Sequence, residues 1–252
     1  MIDIHSHILP EVDDGTRSLD EARALAISAL EDGVTVMAAT PHVRNDYATT
    51  PERMERGLAE LRADFARERI PLEVVHGAEL AIDRLGVLTP DDLRRFTLGQ
   101  NGRYVLLECP YFSSYVELVP AIKALTKVGI AAVVAHPERN PSIQERPDRI
   151  SALIDLGALV QVTAGSIDGR LGRSAKRTAS ALVDLGCVHA IASDAHGPHI
   201  REGGLAAAVA AVGDSALGVY LTEEAPAAIL AGESLATRVR ARRRGRFGLR
   251  SV

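Results

Sequence analysis

The chain predicts a single-domain α/β fold of the barrel kind, with parallel strands joined by helical crossovers. Three observations carry this. One unit recurs along the chain, namely an amphipathic helix, a glycine, a short apolar run and a polar cluster; strand–helix alternation of this kind requires parallel strands. The length, 252 residues, is one at which α/β barrels run as a single domain. Apolar residues make up 46% of the chain while Trp is absent, so a large core must be built from Ala, Val, Leu and Ile.

The elements follow in order. Ile2, Ile4 and Ile8 are apolar, and His5 and His7 stand two apart, so both imidazoles leave the end of one short strand on the same face. Asp13 and Asp14 come next, in a turn that Gly15 closes. Ser18 caps a helix, with Glu21 completing a capping box. Ala22, Leu25, Ala26, Ala29 and Leu30 recur at helical spacing up to Gly33. Residues 34–39 form a buried strand that runs into Thr40, Pro41 and His42. Residues 51–69 form a second helix, with Met54, Leu58, Leu61 and Phe65 along one side. Residues 72–75 are a strand leading to His76, Gly77, Ala78 and Glu79, and Thr89 caps a short helix. Residues 104–107 are a strand ending in Glu108, and 116–128 a helix stopped by Gly129. Residues 130–135 are a strand ending in His136-Pro137-Glu138-Arg139-Asn140, and 150–156 are helical up to Gly157. Residues 158–162 are a strand followed by Thr163-Ala164-Gly165-Ser166. A helix over 174–185 ends at Gly186, and a strand over 187–192 leads to Ser193-Asp194-Ala195-His196. This makes about seven strands, against the eight of the common barrel.

The polar clusters all fall at the carboxyl-terminal ends of the strands, the face that carries the active site in such barrels. Gathered together they are His5, His7, Asp14, His42, Glu79, Glu108, His136, Asp194 and His196. Any one of them has an ordinary explanation as a surface charge, a cap or an ion-pair partner. Their recurrence at one end of successive apolar strands does not. Converging carboxylates repel unless positive charge lies among them, and mixed His and carboxylate donors suit Zn, Mn or Fe. Two or three divalent ions are the simplest compensation.

On these residues the chain resembles the PHP (polymerase and histidinol phosphatase) superfamily. It is most similar to the bacterial tyrosine-protein phosphatases that accompany capsule and exopolysaccharide tyrosine kinases, the CpsB/YwqE group. The resemblance runs from Met1 to about Arg201. It rests on Asp3-Ile4-His5-Ser6-His7-Ile8-Leu9-Pro10 with Asp13-Asp14-Gly15, Ala39-Thr40-Pro41-His42, Gly77-Ala78-Glu79, Leu107-Glu108, Ala135 to Asn140, Gln161-Val162-Thr163-Ala164-Gly165-Ser166, and Ala192 to His196. It implies a distorted (β/α)7 barrel over residues 1–235, a trinuclear and usually manganese site, and hydrolysis of phosphotyrosine in a protein such as a bacterial tyrosine kinase. By the same resemblance the nine residues are the ligands, Glu108 bridges two ions, and Arg139 and Arg201 hold the phosphoryl group. A metal-activated hydroxide would then attack phosphorus in line with the phenolic oxygen. The chain departs from the family's pattern at Val43, where a second His is frequent, and after His196, where Gly197-Pro198-His199-Ile200-Arg201 stands.

Other features narrow the reading. A cysteine phosphatase needs an Arg six positions after its Cys, but Tyr115 and Ser193 follow Cys109 and Cys187 at that distance. Two cysteines form no disulfide framework. The net charge of −4 gives no case for nucleic acid. No signal peptide opens the chain, and no apolar run approaches the ~20 residues of a membrane helix, so a cytoplasmic protein is expected. His76 and His189 read as structural, and His199 as a loop residue. Tyr111, Phe112 and Tyr115 either line the mouth of the site or pack a loop. Residues 236–252 form an arginine-rich tail, expected to be disordered or to dock an acidic partner. Two rival readings are a phosphoesterase acting on a small metabolite such as histidinol phosphate, and a non-catalytic, metal-stabilised binding module.

Overall fold

The computed structural model describes residues 1–198 and 204–235. Its strands are β1 (Ile2–Ser6), β2 (Val36–Ala39), β3 (His42–Val43), β4 (Glu73–His76), β5 (Glu79–Leu80), β6 (Tyr104–Glu108), β7 (Ala131–Ala135), β8 (Leu159–Thr163) and β9 (Ala190–Ala192). All their pairings are parallel. The first three long pieces pair as β1-β2-β4, and the remainder as β3-β5-β6-β7-β8-β9. β2 and β3 are one run broken at Thr40-Pro41, because Pro41 has no N–H to donate to a ladder. β4 and β5 break alongside, at Gly77-Ala78. A Cβ on Gly77 would lie 2.9 Å from both Leu98 Cδ2 and Thr40 Cγ2, so only glycine lets the two breaks close against each other. Ser6 bridges in parallel to Ala195. His7 N–H donates to Ala195 O (2.8 Å) and Asp194 N–H to His5 O (2.9 Å), which joins the first strand to the segment after the last.

Alternate strand residues enter two apolar layers. Val105, Leu107, Val134, Val160, Val162 and Ile191 meet Leu25, Leu58, Leu61, Ile122, Leu125 and Leu182 of the crossover helices. Leu106, Val133, Ala135, Leu159, Ala190 and Ala192 face a smaller layer with Ile4 and Ala38. Burial on both faces explains why the strands read as unbroken apolar runs.

Most expected helices form, with shifts that have local causes. Ser18 caps Leu19–Glu31 by accepting from Glu21 N–H. The other half of the expected capping box is missing, because Glu21 instead accepts from Arg17 N–H (2.8 Å) and binds its guanidinium. Thr50 caps Pro51–Glu68, and Thr89 with Asp92 makes a full capping box at Pro90–Arg95. The helix expected over 116–128 is Leu118–Lys127, entered through a 3-10 turn at Tyr115–Glu117. The one expected over 150–156 shrinks to Ser151–Ile154 behind a second such turn. The strand expected over 187–192 is only Ala190–Ala192. His189 N–H donates to Val160 O (2.8 Å), but Val160 N–H donates to His189 Nδ1 (3.0 Å), so an imidazole takes a ladder position and His189 is structural. The C-terminal helix Ala225–Ala231 is tied to the start of β6, away from the strand ends that carry the polar clusters. Asn101 Nδ2 donates to Ile229 O and Tyr104 Oη to Glu233 O (2.7 Å). Among the described residues no helix is long and apolar enough to cross a membrane. The arginine-rich tail, residues 236–252, lies outside the described residues.

Leu106 is fully buried in the smaller layer. Leu106→Ala should cost about 2–5 kcal/mol, read as a lower denaturant midpoint with an unchanged slope.

Candidate metal centre

All nine predicted residues meet at one end of the sheet, where β1, β6, β7 and β9 finish and where His42 and Glu79 stand just past the breaks that separate β3 and β5 from β2 and β4. They fall into groups whose donor atoms lie within 4.8 Å of one another: His7, Asp14, His42 and His196; His5, Glu79 and His136; His5, His7 and Asp194; and His42, Glu79 and Glu108. Shared members make the groups one continuous cluster. All but Asp14 are buried. Arg139 joins them, with Nη1 donating to Asp194 Oδ2 (2.7 Å). Arg201 and His199 lie outside the described residues, so the second predicted arginine has no place in this description.

Irregular backbone aims these side chains. β1 shifts register against β2 between Asp3 and Ser6, a bulge of the kind that re-aims residues beside sites. His42 and Glu79 each open a strand immediately after a break. His136 (φ 38°) and Asp194 (φ 54°) both adopt the left-handed region, which costs a residue with a Cβ and clusters at functional sites. The loop carrying Asp13 and Asp14 folds back onto His7. A Cβ on Gly15 would lie 2.0 Å from His7 O, so glycine is what lets the loop close.

Hydrogen bonds at the rear of the ring pair fix which nitrogens face the cluster. His7 Nδ1 donates to Asp13 Oδ2 (2.7 Å), whose carboxylate also accepts from His42 N–H (2.8 Å). His5 Nδ1 donates to Gln161 Oε1 (3.0 Å). With both Nδ1 atoms engaged as donors, Nε2 is the nitrogen that each ring can offer to a cation once its proton is lost, and the two Nε2 atoms lie 3.3 Å apart. Likewise His42 Nδ1 lies 2.9 Å from Glu79 Oε2, yet neither buried atom has an aligned hydrogen bond. Ring nitrogens and carboxylate oxygens crowded in this way converge on a common place that a cation can fill. The donor set therefore fits divalent metal on this geometry as well as on its chemistry.

The field around the cluster agrees. Burial opposes charge on His5, but Glu79 and Asp194 outweigh it and raise its proton affinity. Burial is likewise overcome at His7, chiefly by Asp13, and the ring is raised well above the usual imidazole range. Burial pushes Glu79 and Asp194 up, yet the surrounding imidazoles, His5 foremost, hold both well below the carboxylate range. Burial and then Glu79 push Glu108 up. A field that holds protons on imidazoles also attracts cations.

The aromatic residues separate. Tyr111 stacks on His136 (centroids 5.2 Å, planes 19° apart) beneath Arg139, whose Cζ lies 4.6 Å from its ring centre. Phe112 is fully exposed at the pocket edge, and Tyr115 packs against the core. His76 is half-buried and belongs to none of the groups. Sequence reasoning left Asp13 without a role, quoted Gln161 only within a motif, and passed over Arg44, which lines the same pocket. For Asp13 the signal was present, because a carboxylate beside a His-x-His pair orients a ligand as readily as it binds metal.

A parallel α/β fold with this cluster at its strand ends defines a class, that of proteins that gather His and carboxylate groups able to hold divalent ions there. Within it, the chain belongs to the capsular polysaccharide synthesis family CpsB/CapC, whose model matches residues 1–223. Among curated relatives, the tyrosine-protein phosphatase YwqE of Bacillus subtilis is 36% identical over 206 residues, covering 80% of each chain. The tyrosine-protein phosphatase CpsB of Streptococcus pneumoniae is 29% identical over 204 residues, 78% of this chain and 83% of that one. A solved chain from a crystallographic study of YwqE and CpsB, described there as metal-dependent tyrosine phosphatases, superposes with TM-score 0.83. It is 31% identical and covers 96% of this chain and 100% of its own.

Two outcomes test the centre. Asp13→Ala should leave the fold intact and weaken divalent-ion binding about 10–100-fold, read by titrating chelator-stripped protein. Metal uptake should release protons and weaken as pH falls, because His5 and His7 hold their protons to higher pH than ordinary imidazoles and must lose them to ligate; titration in buffers of different ionisation enthalpy reads this directly.

Proposed function

We propose that this chain is a metal-dependent phosphotyrosine protein phosphatase. The observation that carries the reading is the nine-residue cluster, six of whose members (Asp14, His42, Glu79, Glu108, His136 and Asp194) line a pocket of about 300 Å³ with Arg139 and Tyr111. The proposed ligands are His5, His7, Asp14, His42, Glu79, Glu108, His136, Asp194 and His196, holding two or three divalent ions, manganese first among them. Such ions, when bound, neutralise phosphoryl charge and lower the pKa of a coordinated water from about 15.7 towards 7.

The chain's own residues do the rest. Arg139 keeps Nη1 on Asp194 and offers its other N–H groups to the equatorial phosphoryl oxygens; Arg201 is proposed to add a second grip. Tyr111, stacked on His136 beneath the guanidinium, holds Arg139 at the pocket. A tyrosine phenol, with pKa near ~10, leaves without a strong general acid. Cys109 and Cys187 are both buried, and burial pushes the Cys109 thiol up, so neither serves as a thiolate nucleophile. In the same proposal the parallel strands close as a distorted (β/α)7 barrel over residues 1–235, supported by the Ser6–Ala195 bridge. The arginine-rich extension follows that barrel. The protein would act in the cytoplasm on a tyrosine kinase of capsule or exopolysaccharide synthesis.

The test is turnover of a phosphotyrosine peptide and of histidinol phosphate side by side, after chelation and reloading with Mn, Zn, Fe or Mg. Metal-restored release from the peptide is expected; preference for histidinol phosphate would overturn the substrate assignment. Glu108→Ala and Asp194→Ala should each lower turnover about 10²-fold or more and reduce bound metal. Near-normal turnover in both would remove the assigned centre.

A further inference from the structure

We infer that Arg44 is a phosphoryl-binding residue of this site, acting beside Arg139; the inference rests on the phosphoesterase reading above. Two stacks of the same composition flank the pocket, each giving it an arginine and a histidine. In one, the Arg139 guanidinium lies over Tyr111, which stacks on His136. In the other, Arg44 Cζ lies 5.1 Å from the Tyr47 ring centre, and Tyr47 stacks on His42 (centroids 6.0 Å, planes 17° apart). In each, a cation is placed by a tyrosine face beside an imidazole of the cluster.

The chain builds the second stack locally. Arg44 directly follows β3, two residues after His42, and its side chain comes back beside that imidazole. A tight turn, with Arg44 N–H to Tyr47 O (3.0 Å) and Tyr47 N–H to Arg44 O (3.1 Å), brings the ring under the guanidinium. Arg44 Nε donates to Asp46 Oδ1 at 2.7 Å, the length of a charge-assisted bond. These anchors fix the side chain and leave its Nη atoms at the pocket, where the residue is about one-quarter exposed. There Nη1 lies 3.4 Å from both Glu108 Oε1 and His42 Nε2. Both contacts are weaker than the 2.7 Å bond that the same guanidinium makes to Asp46. Both neighbours also belong to the group able to hold a metal with Glu79. If His42 and Glu108 ligate a cation, the imidazole is lost to Arg44 as an acceptor and the carboxylate is shared, which frees Nη donors of Arg44 for an anionic phosphoryl oxygen.

A bland alternative is that Arg44 only offsets the charge of Glu108. Binding of orthophosphate to manganese-saturated protein separates the two. Arg44→Ala should weaken orthophosphate, measured by calorimetry and as a competitive inhibitor, about 10–100-fold, the worth of a hydrogen bond to a charged group. Bound metal should be unchanged, and Arg44→Lys should recover part of the loss. Orthophosphate affinity equal to wild type in Arg44→Ala at full metal occupancy would overturn the inference, whatever happens to metal affinity. Wild-type protein that binds orthophosphate through Arg44 yet cleaves no phosphotyrosine peptide would keep this inference and remove the substrate assignment.

Discussion

The crowding of buried imidazoles and carboxylates governs the architecture of this protein. Eight buried His and carboxylate groups converge at one end of a parallel sheet, and such groups hold together only around positive charge. The convergence is maintained from behind. Asp13 and Gln161 each take a proton-bearing nitrogen of a histidine, so the opposite nitrogens face inward. Asp13 also receives the backbone of His42, which couples the loop after β1 to the start of β3. One buried carboxylate thereby sets the tautomer of one ring and the position of another.

Regular strands alone would not bring these side chains together. The cluster is reached through departures from regularity, in the breaks at Thr40-Pro41 and Gly77-Ala78, the register shift in β1 and the left-handed residues His136 and Asp194. Each departure sits between apolar strand and polar end. The two packed layers below hold the strands in place, so the strained residues above have little freedom to relax.

The pocket rim repeats one solution to a second problem, that of holding an arginine next to a cluster of His and carboxylate groups without losing it to the carboxylates. Both arginines rest on tyrosine faces, and each tyrosine rests on an imidazole of the cluster. Arg139 is bonded at 2.7 Å to Asp194, whereas Arg44 touches Glu108 only at 3.4 Å. The two are therefore equally placed but unequally engaged.

Much of the centre was legible in the chain because its members are chemically conspicuous and sit at one repeating place, the end of an apolar run. His5, His7, His42, Glu79, Glu108, His136, Asp194 and His196 could be listed from that pattern, as could the parallel α/β class from strand–helix alternation. The capping of Leu19–Glu31 and the extent of β9 were read less well, because Glu21 and His189 found partners, Arg17 and Val160, that local rules did not favour. Asp13, Gln161 and Arg44 acquire their roles only from neighbours distant in the chain or across a pocket. The sequence by itself determined which donors exist and which end of the sheet they occupy, since strand periodicity and residue chemistry are local. Only the tertiary structure decided which nitrogen of each ring faces inward, which carboxylate orients rather than converges, and which arginines reach the pocket, because those depend on hydrogen bonds between residues that meet only when the fold closes.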